Sequence, residues 1–97
     1  MQSKYSTIKS YLNSDGQITQ WASKKHRQKQ LLMLAYIAAH FEASKTYTEP
    51  EVNAIIKQWH TFGDHALLRR ELIDARLMTR DVEGRCYSLV ISSDVVE

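Results

Sequence analysis

The clearest hydrophobic pattern in the chain lies between residues 48 and 59. Its apolar positions recur at the i, i+3, i+4 and i+7 spacing of an amphipathic helix, and they are Val52, Ile55, Ile56 and Trp59. Thr48 and Glu51 have the spacing of a capping box, and Pro50 is tolerated in a first turn, where backbone N–H groups lack helical partners. The pattern therefore predicts a helix that begins after Thr48.

A second helix is predicted upstream, where Ser23 can cap a helix that begins at Lys24. Residues 31–41 (LLMLAYIAAHF) are apolar at almost every position. A helix that is apolar on all faces is usually packed on several sides. We therefore expect this helix to be the centre of the core.

The remaining pattern predicts a third helix followed by a hairpin. Asp64 can cap a helix over residues 65–75, in which Leu68, Leu72 and Ala75 share one face. Residues 77–81 and 85–91 resemble two strands, and Gly84 between them suits the positive φ of a bulged turn. Helix, helix, helix, hairpin is the order of a winged helix, with the helix after the turn in the recognition position.

The predicted fold is thus α+β: one mainly helical, winged-helix-like domain over residues 1–97 with a C-terminal β-hairpin. Residues 1–22 would form an extra N-terminal helix and an extended arm, residues 23–91 the winged-helix-like core, and residues 92–97 a tail. A chain of 97 residues is long enough for one core and too short for two.

Composition narrows the class of protein. Cys86 is the single cysteine, so no internal disulfide can form. The N-terminus has no apolar leader, and the longest apolar run is too short to span a bilayer. These features predict a cytoplasmic protein with no membrane partner. A formal net charge of +2 permits a nucleic-acid partner without requiring one.

Several segments resemble a bacterial family known only as domain of unknown function 2087. They are residues 8–16 (IKSYLNSDG), 29–41 (KQLLMLAYIAAHF), 47–53 (YTEPEVN), 67–80 (LLRRELIDARLMTR) and 81–87 (DVEGRCY). The family's domain occurs alone and fused behind helix-turn-helix transcriptional regulators. The resemblance implies a link to gene regulation, and it supplies no catalytic residues.

A regulatory winged helix that binds double-stranded DNA, as a dimer, is the first functional hypothesis. Cations would contact the phosphates and base edges. The candidates are a basic run at the start of the central helix and arginines of the third helix and hairpin: Lys24, Lys25, Arg27, Lys29, Arg69, Arg70 and Arg85. The basic run lies at a helix N-terminus, where the helix dipole disfavours cations, so local stability does not explain it.

Two alternatives to DNA binding remain open. Acids interleave with the arginines, and Arg70 can instead pair with Glu49, Glu51 or Asp81. The third helix is also apolar along Ala66, Ile73 and Leu77, which favours either burial under the N-terminal segment or a protein-binding surface. The second hypothesis is therefore a protein-interaction or homodimerisation module of a regulatory system. A small-molecule sensor with a pocket beside the central helix is a third.

No motif predicts catalysis, a cofactor or a metal. His60 and His65 flank a turn beside Asp64, but a zinc site needs three or four converging ligands, usually with cysteine among them. Cys86 is predicted to be a small hydrophobic residue in the sheet. We find no nucleophile elbow, phosphate loop or metalloprotease motif, so the chain is not expected to be an enzyme.

Overall fold

The computed structural model describes residues 5–90. In chain order the elements are two 3-10 helices, three α-helices and two strands: η1 (Ser6–Tyr11), η2 (Lys24–His26), α1 (Arg27–Ala38), α2 (Glu49–Gln58), α3 (His65–Asp74), β1 (Met78–Arg80) and β2 (Tyr87–Leu89). The predicted α+β class and element order are confirmed. The predicted tail, residues 92–97, lies outside the described residues.

Helix α1 carries the centre of the core, as predicted. Met33, Leu34 and Ile37 are fully buried, and α1 packs against α3, η1 and η2. The predicted start was wrong: Ser23 makes no side-chain capping bond, and residues 24–26 form η2 before α1 begins at Arg27. The helix is also not buried on every side, because Leu31 is 40% exposed.

Helix α2 begins at the predicted capping box. The Glu51 N–H donates to Thr48 Oγ1 at 3.3 Å, and the Thr48 N–H donates to Glu51 Oε1 at 2.8 Å. Val52 and Ile56 are buried on the predicted face, and α2 packs mainly on α3. This cap fixes the residue at which α2 begins. Glu49, in the first turn of α2, contacts Arg69 and Tyr87.

The hairpin pairs β1 with β2 antiparallel, with Thr79 opposite Ser88 and Arg80 opposite Tyr87. On the other side of β2, Tyr47 forms an isolated bridge with Tyr87 through two backbone hydrogen bonds of 2.7 Å. The segment before α2 therefore holds the hairpin in place. Gly84 has the predicted positive φ, at 72°.

The N-terminal segment packs outside this unit. Ile8 and Ile18 are buried, and Ile18 bridges to both Leu12 and His60. The carbonyl of Gly16 accepts a hydrogen bond from the Tyr36 hydroxyl at 2.6 Å. A Cβ at Gly16 would lie 3.0 Å from that hydroxyl, so the turn requires a glycine for this close approach.

Helix α3 ends in a Schellman motif at a residue that is not glycine. The Arg76 N–H donates to the Ile73 carbonyl and the Leu77 N–H donates to the Leu72 carbonyl, both at 3.0 Å. Arg76 therefore adopts φ 63°, a conformation that disfavours a Cβ. A cation near a helix C-terminus recovers part of that cost through the helix dipole.

Replacing Arg76 with glycine should therefore stabilise the domain by about 0.5–1 kcal/mol, because the left-handed strain disappears. Urea denaturation followed by circular dichroism measures the change. Arg76→Ala is the matched control, since it removes the charge and keeps the strain, and it should not stabilise. Equal effects of the two substitutions would contradict the strain argument.

Candidate nucleic-acid interface

Helix α3 buries Leu68 and Leu72 and turns the opposite side outward. Along this outer side lies a groove of about 340 Å³ between α3 and the hairpin, which we call the α3–hairpin groove. Its lining residues are Ala66, Arg69, Arg70, Ile73, Asp74, Arg80 and Tyr87. Two arginines of α3 and one arginine of β1 therefore line the same groove.

Arg69 and Arg70 are adjacent in sequence but have different surroundings. Arg69 Nη1 donates to Asn53 Oδ1 at 2.5 Å, and Nη2 lies 3.7 Å from Glu49 Oε2. Arg70 is exposed and has no acidic partner within residues 5–90. The structural ion pair that the sequence suggested for Arg70 therefore belongs to Arg69, which ties α3 to α2.

Arg80 extends along the hairpin turn. A Cβ at Gly84 would lie 3.9 Å from Arg80 Nη1, so the guanidinium lies over the turn glycine. Arg80 is exposed, and in the described part of the chain no carboxylate pairs with it. Either Arg80 or Arg85 could be expected from the sequence to meet phosphate beside the hairpin, but of the two only Arg85 is among the selected candidates.

The basic run from Lys24 to Lys29 is divided between two sides of α1. Lys24 and Arg27 line a cleft of about 710 Å³ between the start of α1 and α3, which we call the α1–α3 cleft. Arg27 Nη1 donates to Gln30 Oε1 at 2.7 Å and to Glu71 Oε1 at 3.1 Å. Lys25 and Lys29 line a separate hollow beside Thr7 and Leu32.

Lys24 therefore flanks α3 on the side opposite the hairpin. Asp74 is exposed on α3 and lines both the groove and the cleft. The outer side of α3 thus carries Arg70, with Arg80 to one side and Lys24 to the other. Lys25 and Lys29 do not join this surface, and Lys29 Nζ lies 5.6 Å from the Tyr11 ring centroid.

The tip of the hairpin projects into solvent. Val82 is fully exposed, and Arg85 Nη2 lies 3.3 Å from Glu83 Oε1 in an exposed ion pair. Such pairs contribute little to stability, so Arg85 can change partners at little cost. Cys86 is also exposed and lies just before β2, so its prediction as a small hydrophobic residue in the sheet was wrong.

Asp81 organises the hairpin turn. Its Oδ1 accepts the Arg85 N–H at 2.7 Å and the Cys86 N–H at 3.3 Å. These bonds, that of Arg85 foremost, favour the carboxylate and lower the pKa of Asp81 below its ordinary value of 3.8. A carboxylate of lowered pKa stabilises the fold above the unfolded value and loses that contribution as pH falls through the folded value.

Acidification should therefore loosen the hairpin only below about pH 3.8, as Asp81 takes up a proton. In an NMR titration, the Arg85 and Cys86 amide resonances should move with an apparent pKa below 3.8. Asp81→Asn should abolish that titration at both amides. A midpoint at or above 3.8 would show that the two amides do not bind the carboxylate.

Of the two histidines that flank the turn, His60 binds the backbone through both ring nitrogens. His60 Nδ1 donates to the Ile56 carbonyl at 2.8 Å, and its Nε2 accepts the Asp64 N–H at 3.1 Å. Partial burial, with Lys57 and Arg69 nearby, lowers the pKa of His65 below its ordinary value of 6.5. Residues 5–90 contain no cluster of three or more His, Cys, Asp or Glu side chains that could hold a metal.

An apolar patch on α1 was missed by sequence reasoning. Gln28, Leu31 and Leu32 line an almost wholly apolar depression on its outer side. On α3, Ala66 and Ile73 are half-buried in the groove facing the hairpin, not under the N-terminal segment as one prediction had it. The α1 patch is therefore the more exposed apolar surface of the two helices.

The structure is thus a small α+β domain with a groove, lined by three arginines, between α3 and the hairpin. Residues 17–89 match the model of the family described as "Uncharacterized protein conserved in bacteria (DUF2087)". The chain therefore belongs to this bacterial family, as its motifs predicted. No curated protein and no solved structure matches it. The matched range includes the groove and the cleft.

No helix within residues 5–90 combines the length and the apolar character needed to cross a membrane.

Proposed function

We propose that this chain is a non-catalytic winged-helix domain of a bacterial transcription-regulatory system and that it binds double-stranded DNA through α3 and the hairpin. The observation that carries the proposal is the α3–hairpin groove. Two arginines from different elements, Arg70 and Arg80, line it without acidic partners in the described range. Exposed guanidinium groups on one surface suit phosphate oxygens and the guanine edge.

The surface extends across α3. Lys24 stands on the far side of the helix, so three cations from η2, α3 and β1 border its exposed face. Cations on both sides of one helix can contact the two phosphate backbones that flank a major groove. Arg69 also lines the groove, and its contacts with Asn53 and Glu49 hold α3 against α2.

Sequence selectivity should be modest. Arg70 is the one long donor at the centre of the outer face of α3, and its neighbours Ala66 and Ile73 are apolar. The carboxylate of Asp74 repels phosphate at the same surface. Contacts to phosphate should therefore dominate the affinity, and such contacts carry no direct sequence information.

Titration of a labelled random-sequence duplex, followed by fluorescence polarisation between about 50 and 200 mM salt, tests this function. Three phosphate contacts should give a slope of log affinity against log salt of about −3. Absence of binding at the lowest salt would overturn the proposal, as would binding that does not depend on salt.

The α1 patch favours a second candidate, a protein-interaction or homodimerisation surface without DNA contact. Leu31 is 40% exposed on a helix that otherwise carries the core, and Leu32 and Gln28 extend the patch. Light scattering after size exclusion tests self-association. Leu31→Glu should convert a dimer into a monomer if this surface is used, whereas a wild-type monomer at high concentration would exclude the homodimer.

A further inference from the structure

The α1–α3 cleft is lined by a different set of side chains from the α3–hairpin groove, although Asp74 lines both. At about 710 Å³ its size is within the range of small-molecule sites. Side chains from the arm, from the start of α1 and from α3 meet there. They are Trp21, Ala22, Ser23, Lys24, Arg27, Gln30, Leu67, Glu71 and Asp74.

The base of the cleft is held by Gln30, a polar side chain that is only 4% exposed. Its Nε2 donates to the Ala22 carbonyl at 2.8 Å, and its Oε1 accepts from Arg27 Nη1 at 2.7 Å. The same Arg27 nitrogen also binds Glu71 Oε1. The base is therefore preorganised, and the Nη2 and Nε groups of Arg27 have no hydrogen-bond partner among residues 5–90.

The walls carry opposite charges. Lys24 lies on one side and Asp74 on the other, and neither has an ion-pair partner in the described part of the chain. Both residues line the cleft, and the Lys24 ammonium and the Asp74 carboxylate are more than 4 Å apart. Asp74 is also the last residue of α3, where the helix dipole disfavours an anion. Local helix stability therefore does not account for its charge.

The apolar part of the cleft comes from Trp21 and Leu67, both half-buried. The cleft therefore combines an apolar part with a cation and an anion that are separated from each other. These features match a ligand that has two opposite charges and a short hydrocarbon branch. A ligand with one charge would leave either Lys24 or Asp74 without a partner.

We propose that the α1–α3 cleft binds a free amino acid with an apolar side chain. The ligand carboxylate contacts Lys24 and the free edge of Arg27. Its ammonium contacts Asp74, and its side chain packs against Trp21 and Leu67. This inference does not depend on DNA binding, although Lys24 belongs to both surfaces, so a bound amino acid would compete with phosphate for it.

The test uses the full chain without DNA and L-leucine as the probe, followed by isothermal titration calorimetry. Two analogues each remove one charge: 4-methylpentanoate lacks the ammonium and 3-methylbutylamine lacks the carboxylate. Saturable binding of leucine, at least tenfold tighter than that of either analogue, is the expected result. Equal binding of 4-methylpentanoate would overturn the zwitterion assignment, and no heat with leucine would overturn the site.

Variants locate the binding. Lys24→Gln and Asp74→Asn should each weaken leucine at least tenfold, because each removes one charged contact of the ligand. Lys57→Gln and Glu42→Gln remove exposed charges outside the cleft and should leave the affinity unchanged. Equal affinities in all four variants would place leucine elsewhere and overturn the proposal. Failure of this test leaves the DNA titration unaffected, so the two proposals can fail separately.

Discussion

Replacement of both Arg70 and Arg80 by alanine is expected to lower the affinity for duplex DNA about a hundredfold at low salt. Each arginine should contribute about 1.4 kcal/mol, or a factor of ten, and the two lie on different elements of one groove. The slope of log affinity against log salt should decrease in magnitude by about 2, because two phosphate contacts are lost. Fluorescence polarisation with the random duplex measures both quantities.

A matched control removes the same charge elsewhere. Lys9 and Lys57 are exposed and lie outside the groove, so Lys9→Ala with Lys57→Ala lowers the net charge equally. This control should retain most of the affinity. If the two double variants lose affinity equally, net charge drives binding and the groove has no special role. Neither Arg70 nor Arg80 makes a structural ion pair in residues 5–90, so circular dichroism should show a folded protein.

Truncation of Tyr87 is expected to have the largest effect on stability. Its ring is 1% exposed, and its backbone forms both hydrogen bonds to Tyr47 that hold the hairpin. Its hydroxyl donates to Glu49 Oε1 at 3.2 Å, at the first turn of α2. Tyr87→Ala should cost about 3–5 kcal/mol in the free energy of unfolding, as for other buried aromatic side chains.

Tyr87→Phe separates the hydroxyl from the ring. It keeps the packing and removes one hydrogen bond, so it should cost about 1 kcal/mol. Glu49 keeps its Arg69 partner in that variant, which limits the loss. Urea denaturation measures both substitutions. A loss of less than about 1 kcal/mol in Tyr87→Ala would contradict the view that this ring anchors the hairpin to the core.

The sequence predicted the elements whose signals are local. The capping box at Thr48 and Glu51 forms as expected, and Gly84 has the positive φ that its turn needs. Both signals depend on residues within a few positions, so no tertiary information is required. Ser23 carried a comparable capping signal, yet η2 forms there instead, because a 3-10 turn competes with the α-helix at its start.

The distinction between Arg69 and Arg70 depended on the rotation of α3. Leu68 and Leu72 fix the buried side, and at about 100° per residue Arg70 falls opposite them while Arg69 turns toward α2. That signal was present in the sequence, but the pairing of Arg69 with Asn53 and Glu49 also needed the packing of α2 on α3. No local pattern gives that packing.

Leu31 and Arg76 show two further limits. The apolar run around Leu31 predicted burial on every side, but which sides are covered depends on where η1, η2 and α3 pack. The Schellman motif at Arg76 carries no glycine, so the usual sequence signal for a helix end is absent there.

Backbone amide shift mapping by NMR, with and without a short random duplex, tests the central claim most directly. DNA bound at the α3–hairpin groove should shift the amides of Ala66, Arg70, Ile73 and Arg80, with a smaller effect at Lys24. The amides around Leu31, in the α1 patch, should not move. Shifts confined to the α1 patch, or none at low salt, would contradict DNA binding through α3 and the hairpin.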